Sequence, residues 1–279
     1  IAFTEDLTAR YNSYGWHTQT VDWKKTGNYV EDVRELYEAI EKAKAVTDKP
    51  SLITLRTIIG WPSPTKQGSG KVHGSKLGAE ELAGLKQVLG FDPEKTFEVA
   101  PEVLAHTRGY QAHADSVRAE WQVGFDKWAQ ANPDAKALLE RMERKETPAD
   151  LEAALPVFEA GTELATRAAS GKVINAIAAV MPELWGGSAD LAESNLTTIN
   201  GSKSFVPEQW STHEWSGNKY GRVLHFGIRE HAMGSILNGI TLHGLTRSFG
   251  GTFAVFSDYM RPSVRLAALM NIPTTFVWT

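Results

Sequence analysis

The sequence predicts an α/β fold built from parallel sheets, and three observations support this class. Helix-like and strand-like segments alternate at both ends of the 279-residue chain, which is the order typical of α/β layer structures. Residues 51–59 form a nearly continuous apolar run, as buried parallel strands do. The stretch between the two ends is charged, alanine-rich and helical in pattern. We therefore predict parts of two parallel-sheet domains joined by a helical linker.

The first part of the chain reads as helix, strand, helix and strand. Thr4 is a suitable N-cap for a helix that stops at Gly15, because threonine and glycine favour these two positions. The remaining predicted elements are a strand at 17–21, a helix at 28–45, the strand at 51–59 and a Pro-, Gly-, Ser- and Lys-rich loop at 61–71.

The middle and last parts continue this pattern. Residues from about 92 to 156 contain five prolines and predicted helices at 112–131 and 135–145, and we assign no chemistry to them. The last part predicts a helix at 165–180, a strand and tight loop within 183–190, a strand at 223–226, a helix at 230–243, a turn at 250–253, a helix at 264–269 and a buried strand at 276–278.

Composition restricts the class of partner. The net charge of -4 argues against nucleic acid or an anionic membrane as the main partner. Cysteine is absent, which excludes disulfides and thiolate metal sites and fits a cytoplasmic protein. No apolar stretch approaches the roughly 20 residues of a membrane span. The chain starts without a methionine and ends within a predicted strand, so we expect a fragment.

One carboxylate is chemically conspicuous. Glu230 begins a helix of small and apolar residues. Burial of an ionised carboxylate there costs several kcal/mol, so the group either pairs with a cation or keeps its proton. A neutral carboxylic acid can donate a hydrogen bond to a ring nitrogen. The alternative is a helix-start glutamate that is favoured by the helix dipole and paired with Arg229 or His231.

Three more side chains are candidate ligand-binding groups. His73 lies in a glycine-flanked loop after a predicted parallel strand, a position where α/β sheets bind ligands; the alternative is a solvated surface histidine. Arg167 and Ser194 could hold a phosphate, because a guanidinium matches phosphate oxygens; the alternative is a surface arginine and a loop serine. The eight histidines lack zinc-binding spacings, and we predict no metal ligand in this chain.

Taken in order, short motifs in this chain resemble the transketolase family. The most specific are GSADL at 187–191 and GIREH at 227–231, and the others are RY at 10–11, YGW at 14–16, VHG at 72–74, ATR at 165–167, SNLT at 194–197 and GGTF at 250–253. The resemblance covers the whole chain, most loosely in the linker. One difference is that residues 202–220 form a longer stretch than in some relatives.

The resemblance implies a division into three parts, with both sheet domains of the thiamine-diphosphate-binding type. Residues 1–92 would be the C-terminal part of the diphosphate-binding domain, and residues 93–156 the helical linker. Residues 157–279 would be the N-terminal part of the pyrimidine-binding domain.

The implied activity is the reversible transfer of a two-carbon ketol unit from a ketose phosphate to an aldose phosphate. It would use thiamine diphosphate and Mg²⁺ or Ca²⁺, with the metal ligands upstream of this sequence. The enzyme would be a cytoplasmic homodimer with the cofactor at the subunit interface, and the fragment alone would be inactive. The alternatives are a dihydroxyacetone synthase, a deoxyxylulose-phosphate synthase, or a non-catalytic assembly or regulatory protein derived from the family.

The resemblance also implies cofactor-binding roles. Glu230 would donate a hydrogen bond to the aminopyrimidine ring and act in catalysis. Phe253, Phe256 and Tyr259 would form an aromatic wall around that ring, a role that ordinary core packing does not contradict. Asp190 would be a carboxylate close to the cofactor.

The remaining implied roles concern the substrate. His73 would lie near both the diphosphate and the reacting carbon, and would bind cofactor and substrate as well as act in catalysis. Arg167 and Ser194 would bind the phosphate of the sugar.

Overall fold

The computed structural model describes residues 3–279 and confirms the α/β class with parallel sheets. The chain divides into two compact units, of which the first ends at Ala112 and the second comprises His113–Thr279. The described part of the first unit contains a two-stranded parallel sheet, and the second unit contains a four-stranded one. Among residues 3–279, none of the helices combines the length and apolar character that crossing a membrane requires.

The first unit follows the predicted order. Its elements are helix α1 (Leu7–Ser13), strand β1 (His17–Asp22), helix α2 (Val33–Ala45), strand β2 (Ser51–Arg56), a 3₁₀ turn (Gly70–Val72) and helix α3 (Ala79–Val88). Strands β1 and β2 are parallel, with His17 opposite Ser51 and Asp22 opposite Arg56.

Helix starts in this unit differ from the prediction. Asp6, not Thr4, caps α1, and its Oδ1 accepts a hydrogen bond from the Ala9 nitrogen at 2.9 Å. Helix α2 begins at Val33 because Asp32 caps it in the same way, accepting from the Glu35 nitrogen at 2.9 Å. In both places a carboxylate satisfies a free N–H group and complements the helix dipole.

Two further differences concern burial and a missed element. Strand β2 ends at Arg56 and its side chains are at best half-buried, so the apolar run does not form a strand covered on both faces. Helix α3 is an addition to the predicted elements. A Cβ at Gly84 would lie 2.7 Å from Pro64 Cγ, so the glycine permits close packing of α3 on the preceding loop.

Three helices follow α3 in the chain. They are α4 (Pro101–Ala131), α5 (Pro133–Glu143) and α6 (Leu151–Ala154). Helix α4 begins earlier than predicted, at a proline, which is tolerated in the first turn of a helix. Helix α6 is an addition to the prediction.

The four-stranded sheet alternates with helices. In chain order the elements are α7 (Thr166–Val180), β3 (Leu184–Ser188), α8 (Ala192–Asn195), β4 (Val223–His225), α9 (Glu230–His243), β5 (Arg247–Thr252), a 3₁₀ helix (Ala254–Met260), α10 (Arg261–Met270) and β6 (Thr275–Trp278), with a short 3₁₀ turn at Glu208–Trp210. The strand order is β4-β3-β5-β6 and all pairings are parallel. Helix α9 has the predicted bounds.

The predicted turn at 250–253 is wrong. Gly250 and Gly251 lie in the buried strand β5, between β3 and β6. A Cβ on Gly250 would lie 2.5 Å from Leu237 of α9, and one on Gly251 would lie 2.6 Å from Thr197. These glycines therefore permit close packing over a strand rather than chain reversal. Strand β6 is partly exposed at the sheet edge, not buried as predicted.

Two apolar clusters form the core of the second unit. One joins α7 to the sheet and contains Ile174, Ala178, Met181, Leu184, Ile199, Val223 and Phe249. The other, which we call the site core, contains Ala189, Leu224, Phe226, Met233, Leu237 and Met260. The site core links the ends of β3 and β4 to α9 and the 3₁₀ helix.

A buried ion pair fastens α5 to the sheet. The two terminal nitrogens of Arg141 contact the two carboxylate oxygens of Glu183, just before β3, at 2.7 and 2.8 Å. The side chains are 18% and 2% exposed. Arg141 also donates to the carbonyl of Glu146 at 3.2 Å. Loss of the guanidinium would leave a carboxylate buried without its cation.

We expect Arg141→Met to lower the free energy of unfolding of the second unit by about 3–5 kcal/mol, as for other broken buried pairs. Arg144→Met is the matched control, because Arg144 pairs with Glu146 in an exposed position and should cost no more than about 1 kcal/mol. Urea unfolding followed by tryptophan fluorescence measures both. Equal losses would contradict a structural role for the Arg141–Glu183 pair.

Candidate functional site

The candidate site lies where three parallel strands of the second sheet end. Asp190 follows β3, Glu230 follows β4, and Phe253 follows β5. Because the strands are parallel, their carboxyl ends share one edge of the sheet, the usual ligand-binding edge of α/β folds. We call it the carboxyl edge.

Glu230 occupies the buried face of α9. The buried residues of this helix are Glu230, Met233, Gly234, Leu237 and Asn238, a spacing that defines one helical face. Glu230 itself is only 7% exposed. Glu230 is therefore largely buried, as predicted, whereas its carboxylate oxygens are not among the fully buried atoms of the described residues.

The carboxyl group of Glu230 has no protein partner among the described residues. It takes part in none of their hydrogen bonds or ion pairs. Arg229 donates instead to the carbonyl of Phe226 at 3.1 Å, so the alternative pairing of Glu230 with Arg229 does not occur. The other buried polar group of this face, Asn238, is satisfied: it donates to the Ser263 carbonyl and accepts from the Thr274 hydroxyl, both at 2.9 Å.

Close packing fixes the position of α9. A Cβ at Gly234 would lie 2.2 Å from the Ser263 hydroxyl oxygen and 3.3 Å from Met260 Cε. Met233 and Leu237 are fully buried in the site core. A rotation of α9 that released Glu230 to solvent would expose both apolar side chains.

The three predicted aromatic residues form a continuous row. The ring centroids of Phe253 and Phe256 are 5.9 Å apart, as are those of Phe256 and Tyr259. Their spacing of three residues places them on one side of the 3₁₀ helix. Tyr259 is exposed, whereas Met260 beside it is buried in the site core. The row thus offers ring surface at the carboxyl edge.

Asp190 lies on a cleft of about 230 Å³ at the same edge, whose lining includes Ser194, Trp215, His225 and Gly227. The backbone of Asp190 is left-handed, with a φ of 61°.

Ser188 fixes the loop that presents Asp190. Its hydroxyl donates to the carbonyl of Gly251 at 2.9 Å and accepts from the nitrogen of Leu191 at 3.1 Å. The loop between β3 and α8 is thereby held against β5.

The structure brings Arg167 and Ser194 together. Arg167 lies in the first turn of α7, and its Nη1 donates to the carbonyl of Ser194 at 3.5 Å. Both residues are exposed. The guanidinium of Arg167 therefore lies beside the backbone of Ser194, at an exposed place on the surface.

His73 lies in the first unit, whereas the other seven candidate residues lie in the second. It is exposed, ends the 3₁₀ turn, and its imidazole has no hydrogen-bond partner among residues 3–279.

Glu81 on α3 anchors the loop before His73. Its carboxylate accepts hydrogen bonds from the Ser63 hydroxyl and from the backbone nitrogens of Thr65 and Lys66. These bonds, that from Ser63 foremost, lower the pKa of Glu81 to about 2.

One residue of the carboxyl edge was missed by the sequence reasoning. His225 is the last residue of β4 and lines the cleft. Partial burial lowers the pKa of its imidazole, and the negative charge of Asp190 opposes that shift. His73 was selected because it follows a predicted parallel strand. The place of His225 at the end of β4 could have identified it in the same way.

The described residues contain no cluster of three or more His, Asp or Glu side chains that could hold a metal ion.

Two family models together match almost the whole chain. Residues 1–148 match the transketolase thiamine diphosphate binding domain, and residues 162–279 match the transketolase pyrimidine binding domain. The fold described above is therefore that of the thiamine diphosphate and pyrimidine binding domains of this class of protein.

Sequence relatives agree with these models. Transketolases from Mycobacterium tuberculosis and Geobacillus stearothermophilus are 55% and 43% identical to this chain over 280 residues each. Each alignment covers all of this chain. It covers 39% of the Mycobacterium tuberculosis protein and 40% of the Geobacillus stearothermophilus protein. The chain thus spans about two-fifths of their length. It belongs to the transketolase family.

Solved structures give the same result. A Pichia stipitis transketolase in complex with sedoheptulose 7-phosphate superimposes with a TM-score of 0.88 at 39% identity. The match covers 99% of this chain and 40% of that structure. A Leishmania mexicana transketolase has a TM-score of 0.87 at 35% identity, with 99% and 39% coverage.

Proposed function

We propose that the chain forms part of a transketolase that reversibly transfers a two-carbon ketol unit from a ketose phosphate to an aldose phosphate. The observation that carries this proposal is the largely buried residue Glu230 at the carboxyl edge, whose carboxyl group has no partner among the described residues. The reported relatives are all named transketolases, which favours this activity over that of a related synthase. The retained site residues favour an enzyme over a non-catalytic family member.

The residues at the carboxyl edge fit thiamine diphosphate. When bound, this cofactor supplies carbanion-stabilising chemistry. Glu230 would hold a proton against a nitrogen of the aminopyrimidine ring, and this bond would satisfy its carboxyl group. The row Phe253, Phe256 and Tyr259 would pack on the ring and exclude water, and Asp190 would lie close to the cofactor.

The substrate roles are supported by geometry and by relatives. Pichia stipitis transketolase has been solved with fructose 6-phosphate and with sedoheptulose 7-phosphate, and we propose sugar phosphates as substrates here. Arg167 and Ser194 would bind the phosphate, because a guanidinium matches phosphate oxygens and that of Arg167 lies beside Ser194. His73 would contact both the diphosphate and the substrate near the reacting carbon.

We further propose Mg²⁺ or Ca²⁺ as second cofactor, with ligands outside this chain, and a cytoplasmic homodimer with the cofactor at the subunit interface. Two apolar side chains next to the site are exposed in the single chain, Ile228 at 80% and Val255 at 69%, which supports a surface covered by a second subunit.

For the domains, we propose division at about residues 92 and 156. The family-model ranges support two domains joined by a linker.

The first prediction concerns Glu230→Gln in the full-length protein. Glutamine keeps the volume but cannot give up the proton, so we expect kcat to fall on the order of 10²–10⁴-fold and thiamine diphosphate affinity to weaken. Turnover at saturating cofactor and thermal melting measure this. His231→Gln, at the exposed neighbouring position, is the control and should be near normal. Near-normal turnover in Glu230→Gln would refute the catalytic role.

A second prediction concerns Arg167→Ala. Loss of a charge-assisted contact worth about 1.5–3 kcal/mol should raise KM for phosphorylated sugars roughly ten- to a hundredfold. KM for unphosphorylated sugars should hardly change. Lys172→Ala, an exposed cation of the same helix, is the matched control for lost positive charge. If both classes of sugar are affected equally, Arg167 is a structural residue.

A further inference from the structure

Residues 202–220 and the end of β4 build one wall of the cleft at Asp190. Trp215 comes from this stretch and His225 from β4, and both line the cleft. The Ser204 hydroxyl and His225 Nε2 share a hydrogen bond of 2.8 Å. The rings of Trp215 and His225 meet edge to face, with centroids 4.7 Å apart. The imidazole is therefore held from two sides.

The groups that hold His225 are themselves fixed. Ser204 is fully buried; its nitrogen donates to the Ser216 carbonyl, and its carbonyl accepts from the Asn218 nitrogen, both at 2.9 Å. Two hydrogen bonds from Thr212 fix the backbone of Trp215. The Thr212 hydroxyl accepts from the backbone nitrogen of Trp215 at 3.0 Å, and the backbone nitrogen of Thr212 donates to the Trp215 carbonyl at 2.8 Å. A rigid wall of this kind orients the imidazole in advance of ligand binding.

One nitrogen of the imidazole remains available. Nε2 is used by Ser204, and Nδ1 has no hydrogen-bond partner within residues 3–279. Partial burial lowers the pKa of the ring and so favours its neutral form, in which Nδ1 donates or accepts depending on the tautomer.

The charged side chains that line the cleft favour hydroxyl groups over a phosphate as its ligand. Its lining contains two carboxylates, Asp190 and Glu193, and no lysine or arginine. These carboxylates disfavour a phosphate within the cleft but accept hydrogen bonds from hydroxyl groups. The guanidinium of Arg167 contacts Ser194, which also lines the cleft. A molecule with its phosphate at Arg167 would thus extend hydroxyl groups toward His225.

We propose that His225 is a further substrate-binding residue, which hydrogen-bonds through Nδ1 to a hydroxyl group on the carbon chain of the sugar. Ser204 and Trp215 act as positioning residues for it. This assignment rests on the proposed function and extends it by separating a hydroxyl-binding cleft from the phosphate-binding pair.

Two substitutions of His225 separate ligand contact from packing. In His225→Asn the amide lies where Nδ1 was, and in His225→Gln it reaches the place of Nε2. Both remove the ring from Trp215, but only His225→Asn keeps a polar group for the sugar. In the full-length enzyme, we expect His225→Gln to raise KM for fructose 6-phosphate about three- to tenfold, the effect of one lost hydrogen bond. His225→Asn should stay within about twofold of wild type, and neither kcat nor cofactor affinity should change much in either variant.

A comparison of phosphorylated and unphosphorylated fructose tests whether His225 contacts a hydroxyl group or the phosphate of the sugar. His225→Gln should raise KM for unphosphorylated fructose by the same factor, whereas Arg167→Ala should not. A rise restricted to phosphorylated sugars would overturn the hydroxyl assignment. Equal KM values in the Asn and Gln variants, whether raised or normal, would overturn the role of Nδ1. A wild-type enzyme without ketol transfer would refute the proposed function and this role together, whereas an active wild type with a normal Gln variant refutes this role alone.

Discussion

The position of Glu230 on the buried face of α9 is the constraint on which the rest of the site depends. Helix α9 places this residue on the same face as Met233 and Leu237, and both are fully buried in the site core. The helix therefore cannot move Glu230 out of this position without a large loss of apolar burial. Gly234 removes the remaining freedom, because it lets α9 pack directly on Ser263. The result is a polar group held in position without a protein partner.

Parallel strand geometry converts this local constraint into a site. Asp190, Glu230 and Phe253 lie far apart in sequence, but each follows a strand that ends at the carboxyl edge. The site core ties the three segments together through Ala189, Met233 and Met260, so the loops rest on a packed base. The cleft, the unpartnered carboxyl group and the row of aromatic rings are thus consequences of one sheet.

The sequence predicted what local pattern determines and missed what tertiary packing determines. The bounds of α9 were predicted correctly because it is a run of small and apolar residues that begins at Glu230 and because Gly244 ends it in the left-handed conformation. The glycines of β5 were misread as a turn, since only the approach of Leu237 and Thr197 explains them. His225 was missed although its place at a strand end was a local signal, whereas its contact with Ser204, 21 residues away, follows only from tertiary packing.

The central claim is that the Glu230 carboxyl group is satisfied by a ring nitrogen of thiamine diphosphate. The most direct test is calorimetric binding of the cofactor and of an analogue in which that nitrogen is replaced by CH, to full-length wild type and to Glu230→Ala. We expect wild type to bind the analogue roughly tenfold more weakly, as for the loss of one hydrogen bond, and Glu230→Ala to bind both alike. Equal affinities in wild type, or the same discrimination in the variant, would contradict the claim.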